Sequence, residues 1–416
     1  MSAYALVHSY GITLLKHSPI PSKVFGPPKG IIADMKQWVR EYAARGEGRQ
    51  SDQGCWYSTV IEPVVAANPQ PRSLSLPPAI FSGAEIRQQP EIFTACIPEA
   101  RVIMRTGLVI SPDDRIFDQS CCWGREWFYP SDIECNTLRP LLRPTRLRGS
   151  YLTIISRTWN NYYHWFSECL TRLCVAEALP EVPILVPRNL APFQKETLAL
   201  LGFGQERLLE LDEGCYEVDQ LYFPSFPGTT VGFMSNWAFR SLRKAFCHGS
   251  VTKGKRLYVS RARVAHRRIT NEDEIIRALE REGFTSVDGQ RLTVAEQIRL
   301  YADAEIIVGV HGAGLTNILF APAGALVIEI LDPEHIVGCY YALATSLNQN
   351  YWCLLGENES VNQGRPPRKG YDDITVSLDL LLETLRAALS DRDDSSDSLP
   401  GSADTVDKCQ ATNVPA

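Results

Sequence analysis

The stretch Gly309-Val310-His311-Gly312-Ala313-Gly314-Leu315-Thr316-Asn317 constrains this chain more than any other. Ahead of it, residues 304–308 (AEIIV) form a short apolar, β-branched run, the composition of a buried parallel strand. Behind it, residues 314–320 can begin a helix. After the breaker at 321–324 (APAG), a second apolar run covers 325–331 (ALVIEIL). Strand, glycine loop, helix start and strand follow one another as in an open α/β sheet. Backbone N–H groups freed at such a loop can face an anion, and Gly312 and Gly314 lack the β-carbons that would hold a diphosphate away. Two glycines can also do no more than make a tight turn. The flanking strands, His311 and Glu329 favour a nucleotide site.

The 416 residues suit two or three domains, and 44% hydrophobic with 22% charged residues is ordinary globular composition. A net charge of −6 gives no global case for nucleic-acid binding. No segment has the length of apolar sequence that a membrane span needs, which leaves peripheral association open. The apolar run near the N-terminus (Tyr10 to Leu15) is too short for a signal peptide. The twelve cysteines show no CxxC pair, so reduced thiols and a cytoplasmic location are expected, without a cysteine metal site.

Residues 1–80 read as a proline-interrupted, irregular extension with one helix over 33–45. Residues 81–247 read as an acceptor-side α/β domain and 248–356 as a second, Rossmann-like domain. A closing helix at 377–388 falls in the segment 357–389, and 390–416 reads as a disordered tail. Asp113 and Asp114 sit in a turn and are expected to be solvated. Asp391-Arg392-Asp393 is formally a DxD, discounted as a metal site because it falls in that tail.

In the first domain a strand near 148–155 leads to Trp159-Asn160-Asn161-Tyr162-Tyr163-His164-Trp165-Phe166-Ser167-Glu168. Asn160 or Asn161 can cap a helix there. His164 and Glu168 are four residues apart and therefore neighbours on one face. A neutral imidazole in a first helical turn can take a proton, and a carboxylate one turn on can orient it; a plain surface pair fits the same spacing. In the second domain, strands and helices alternate from residue 256 onward. Arg261, the loop 311–317 and Glu329 all fall at carboxyl ends of strands, where doubly wound sheets bind ligands.

Three ordered motifs resemble glycosyltransferase family 61. They are Asn161-Tyr162-Tyr163-His164-Trp165-Phe166-x-Glu168-x-Leu170-x-Arg172-Leu173, then Tyr258-Val259-Ser260-Arg261 with Arg268-Ile269-x-Asn271-Glu272, then Gly309 to Asn317 with Ile328-Glu329-Ile330. The resemblance implies a GT-B architecture, two Rossmann-like domains facing a cleft. It implies inverting transfer of a sugar from a nucleotide sugar, UDP-linked by family likeness, to a hydroxyl of a glycan or glycoconjugate acceptor. No obligatory metal and no further cofactor are implied. Carried over by position, Arg261 and Arg268 contact the diphosphate, and His311 with Gly312, Ala313, Gly314, Leu315, Thr316 and Asn317 lines it. Glu329 meets the ribose, and His164 or Glu168 serves as base. Many relatives carry Asp where this chain has Glu168.

A Rossmann oxidoreductase is disfavoured, because Gly312-Ala313-Gly314-Leu315-Thr316-Asn317 lacks a third glycine and Glu329 follows too soon. A non-catalytic nucleotide- or glycan-binding protein on the same fold stays open. The sequence fixes neither donor sugar, acceptor nor oligomeric state.

Overall fold

The alternation of side chains along the second-half strands decides how that half is layered. The computed structural model describes residues 28–45, 54–75, 81, 86–121, 143–230, 233–247 and 254–396. Ten strands of the larger sheet are Gly30–Ile32 (β1), Trp56–Ile61 (β2), Ile92–Pro98 (β3), Arg101–Ile103 (β4), Leu108–Ile110 (β5), Arg115–Phe117 (β6), Thr145–Thr153 (β7), Ile184–Pro187 (β8), Leu208–Leu211 (β9) and Cys215–Pro224 (β10). The second sheet comprises Lys255–Val259 (β11), Phe284–Val287 (β12), Ala304–Val310 (β13), Leu326–Leu331 (β14) and Asn350–Leu355 (β15).

All pairings in the second sheet are parallel, in the order β12-β11-β13-β14-β15. Numbered within the sheet this is 2-1-3-4-5, a doubly wound order whose direction reverses between β11 and β13. Because strand side chains alternate, Tyr258, Ile306, Val308, Ile328 and Ile330 bury against helices Glu272–Arg281 (α5) and Leu378–Ser396 (α8). Leu257, Val259, Ile307, Val327 and Tyr351 face the other way. There they join Val294–Ala302 (α6), the 3₁₀ segment Ala313–Phe320 and Cys339–Ser346 (α7). Burial on both faces accounts for the unbroken apolar runs seen in the sequence.

The larger sheet is mixed, with order β1-β6-β5-β4-β10-β7-β8-β9 and β3 joining β2 to β10. Its β10-β7-β8-β9 part is parallel, while β3 and β4 run antiparallel to β10. It is thus a parallel half extended by antiparallel pairings through β4, β5 and β6, with β1 parallel to β6 at the far edge. Helix Met35–Ala44 (α1) lies within the span expected from sequence, but β1, α1 and β2 build into this sheet rather than forming an irregular extension. Trp38 of α1 stacks on Tyr42 at 4.7 Å and meets Phe117 edge-on at 4.9 Å. The turn carboxylates are not solvated as expected: Asp113 accepts from Trp38 Nε1 at 3.2 Å, and Asp114 pairs with buried Arg101.

One apolar cluster runs through both halves, because helices from each meet in the same layer. Tyr162–His164, a π-helical Trp165–Leu170 and Thr171–Val175 form one continuous helix (α2). With Pro192–Leu200 (α3) and Asn236–Phe246 (α4), it packs towards the 3₁₀ segment and α7. Buried Arg172 of α2 donates to Pro224 O at 2.9 Å and Ile155 O at 3.1 Å, fixing the helix to the ends of two strands. The helix expected over 233–246 begins at Asn236, capped by Ser235, after a short strand Phe233–Met234.

α8 runs well past the expected 388, to Ser396. Asp391 pairs with Arg72 and Arg392 with Glu305, so this part of the expected tail is helical and held by ion pairs. The remainder of that tail, 397–416, lies outside the described residues. None of the nine described cysteines is in a disulfide. No described helix is long and apolar enough to cross a membrane.

Candidate functional site

The switch point between β11 and β13 opens on a cavity of about 710 Å³. Arg261 and Arg267 come from the loop after β11, and Ala313 and Gly314 from the loop after β13. Tyr162 and Phe193 of the first half close the opposite wall. The backbone sets the stage: Arg261 N–H donates to Glu272 Oε1 at 2.8 Å, the oxygen that also accepts from Tyr258 OH at 3.0 Å.

Arg261 is only 9% exposed, and its guanidinium donates to the carbonyls of Arg267 (2.9 Å) and His266 (2.8 Å). No described carboxylate pairs with it. Burial and the nearby Arg267 charge bring it down to about 10, so it still carries its proton at neutral pH. Arg267 adopts a positive φ of 55°, and its buried Nε has no hydrogen-bond partner among the described residues. Neither of these two neighbouring guanidiniums has a described carboxylate within salt-bridge distance, and the Glu272 carboxylate offsets only part of the Arg261 charge, so a local positive centre remains in an acidic chain. Such a centre is costly unless an anion meets it.

The other helix terminus at the cavity is closed. Thr293 and Glu296 form a capping box on α6, and Glu196 of α3 accepts from Val294 N and Ala295 N, both at 2.9 Å. An anion therefore has no free amides there. The glycine loop differs, because the amides opening a 3₁₀ segment have no carbonyl partners within it.

Arg261, Ala313 and Gly314 line the cavity. Arg268 does not. It is exposed, donating to Asp373 Oδ2 at 2.8 Å, and its neighbour Arg267 lines the cavity in its place. The left-handed turn at Arg267 separates the directions of the two side chains, and no periodic pattern in the sequence reveals it. Glu329 does not reach out to a ribose. It is 0% exposed, with one oxygen 2.5 Å from His311 Nδ1 and the other accepting from Tyr351 OH. Strand parity is the reason: odd-numbered residues of β14 point into the layer of α6, the 3₁₀ segment and α7.

Within the motif, Leu315 and Thr316 are buried, and Asn317 is a brace. Asn317 Nδ2 donates to Gln297 Oε1 at 2.6 Å, and its Oδ1 accepts from Tyr162 OH at 2.9 Å. That last bond ties α2 to the glycine loop. Asn161 caps α2 by accepting from Tyr163 N at 2.9 Å. His164 Nδ1 lies 2.6 Å from Glu168 Oε1, and Glu168, fully buried, also accepts from Thr158 Oγ1 at 3.1 Å. The pair sits where a π-helical stretch begins, a distortion often found at functional sites.

His164 and His311 are linked through aromatic rings. Tyr163 lies 5.5 Å from His164 and 5.2 Å from Tyr340, which is 5.1 Å from His311; His335 follows at 5.6 Å. Tyr340 OH also donates to Gly312 O at 2.7 Å. Tyr340, His335 and Glu196 carried no signal in the sequence, because each acquires its place through tertiary contacts, while Arg267, which read as a solvated side chain, lines the cavity. Among the described residues, no three His, Cys, Asp or Glu side chains converge as a metal centre.

Residues 162–328, which hold both histidine–glutamate pairs except Glu329, match a known family model. The match is to glycosyltransferase family 61. The family 61 segment therefore includes α2, the Arg261 loop and the glycine loop. The chain is 37% identical over 90 residues to the EGF domain-specific O-linked N-acetylglucosamine transferase of Drosophila melanogaster, covering 21% of this chain and 17% of that protein. It is 32% identical over 144 residues to the protein O-linked-mannose β-1,4-N-acetylglucosaminyltransferase 2 of Mus musculus, covering 32% and 25%. The Gallus gallus EGF domain-specific transferase is 32% identical over 112 residues, covering 25% and 21%. The chain thus spans about a quarter or less of each of these relatives.

Proposed function

We propose that this chain is an inverting glycosyltransferase of GT-B type. It moves a sugar from a nucleotide sugar, UDP-linked by family likeness, to a hydroxyl of a glycan or glycoconjugate, without requiring a metal ion. One observation carries the reading: the Arg261 guanidinium, in no salt bridge with a described carboxylate, lies against Gly312 at the switch point, with Arg267 beside it on a nucleotide-sized cavity. The family 61 match and the names of the relatives support sugar transfer.

The nucleoside occupies the cavity and its diphosphate crosses Gly312 between Arg261 and Arg267. The loop amides complete that cradle, so charge developing on the leaving diphosphate meets preorganised donors. The acceptor hydroxyl gives its proton to the His164–Glu168 pair and attacks the anomeric carbon opposite the departing oxygen. In the buried pair, Glu168 holds the Nδ1 side of His164 and leaves Nε2 for the proton.

The test compares thermal shift, donor hydrolysis and sugar transfer across nucleotide sugars, with and without chelator. Arg261→Ala is expected to lower turnover by about two to three orders of magnitude at saturating donor. Near-normal turnover in that variant sinks the reading. Binding without transfer by any acceptor leaves the binding-protein alternative in its place.

A further inference from the structure

The Glu329 carboxylate is placed where a strand in a buried sheet ordinarily carries an apolar side chain. It sits between Ile328 and Ile330 and is wholly enclosed. Burying an unmatched carboxylate costs several kcal/mol even after relaxation. Here His311 Nδ1 and Tyr351 OH match it. Since a carboxylate only accepts, that histidine nitrogen carries the proton. Burial and the Glu329 charge hold the Tyr351 phenol well above its usual range, so it stays a donor.

Holding the loop does not call for this pair. His311 N–H already donates to Ile330 O at 2.9 Å, Leu315 N–H to Gly312 O at 2.9 Å, and Tyr340 OH to Gly312 O at 2.7 Å. What Glu329 adds is control of the imidazole itself. With Nδ1 committed, Nε2 is the nitrogen left to a ligand, one residue from the Gly312–Arg261 contact. Tyr340 and His335 flank the ring edge-on, limiting its rotation.

We infer that Glu329 and Tyr351 are positioning residues that hold His311 through its Nδ1–H bond to Glu329, so that Nε2, taking up a proton as the donor binds, donates an N–H bond to the diphosphate. This rests on the nucleotide-sugar reading above and adds a role for two residues that touch no substrate.

The experiment uses full-length protein labelled with ¹⁵N-histidine, with uridine diphosphate as probe. In the unaltered protein, His311 is expected to show a protonated Nδ1, and the probe to bring Nε2 into its protonated form as well. Glu329→Met removes both acceptor oxygens at similar size. It should release a mixture of tautomers, lower turnover about a hundredfold, as misplaced groups do, and weaken the probe, whose diphosphate loses an aligned donor. Glu329→Gln, which keeps one acceptor oxygen, should restore the Nδ1–H form and part of the turnover. Tyr351→Phe should act in the same direction but less, and carries the test should Glu329→Met fail to fold. Unchanged His311 tautomer and turnover in these variants overturn the inference. A probe that shifts no histidine in the unaltered protein sinks the nucleotide reading instead, and the tautomer result still decides whether Glu329 sets the ring.

Discussion

Arg261 and Gly312 share a space that no larger residue leaves open: a β-carbon on Gly312 would collide with Arg261 Nη1. Gly312 has φ 164° and ψ 168°, an extended conformation open to any residue, so the requirement is one of room. Gly312→Ala should therefore displace the guanidinium, costing about 1–3 kcal/mol of stability from overpacking. Donor affinity should fall with it. A double-mutant cycle with Arg261→Ala checks the cause: once the guanidinium is gone, the alanine should cost little more. Full additivity in donor binding would show that the two do not act together.

Adjacent arginines should behave oppositely. Arg267 brings to the cavity an Nε without a partner among the described residues, whereas Arg268 is exposed and paired with Asp373. Losing a charge-assisted contact costs about 1.5–3 kcal/mol, so Arg267→Ala should weaken nucleoside diphosphate binding about ten- to a hundredfold. Arg268→Ala should leave both affinity and melting temperature unchanged. Isothermal titration of the two variants decides, and equal losses would return Arg268 to the diphosphate.

Much of this site could be read along the chain wherever chemistry follows local pattern. The strand–glycine loop–strand unit around 304–331, the Asn161 cap and the four-residue spacing of His164 and Glu168 are all local. Glu329 was visible as a polar break in an apolar run, but its direction depends on which sheet face carries α6, the 3₁₀ segment and α7. Arg267 was hidden by an aperiodic loop with one left-handed residue. Asp391 and Arg392 looked like tail until Arg72 and Glu305, distant in sequence, supplied partners that extend α8. What could not be read was long-range pairing, which no local propensity encodes.

Glu196 joins the two halves by capping a helix that is not its own. Its carboxylate satisfies Val294 N and Ala295 N of α6 from α3. Removing such a cap costs about 0.5–2 kcal/mol. Glu196→Ala should lower the urea midpoint accordingly and speed hydrogen exchange at residues 294 and 295, while exchange within α5 stays slow. Unchanged protection of those two amides would show that the capping box alone secures the helix start.

His335 gives the fold a pH dependence of known sign. Burial, His311 and Arg267 push it down to about 4, and Lys369 adds to this while Asp332 opposes it. Its ordinary value is 6.5, so between pH 6.5 and about 4 the unfolded chain binds a proton that the folded one refuses. Stability from this residue is complete above 6.5 and declines as the pH falls through that window. Replacing it by a neutral residue removes the difference, so His335→Gln should lose less stability on acidification than the unaltered protein. Urea unfolding at both ends of the window measures this, and equal losses in the two proteins would mean that His335 titrates normally in the fold. A bound diphosphate should act in the opposite sense. Its negative charge beside Arg267 favours the imidazolium, so saturating nucleotide sugar should raise the His335 pKa and flatten the slope.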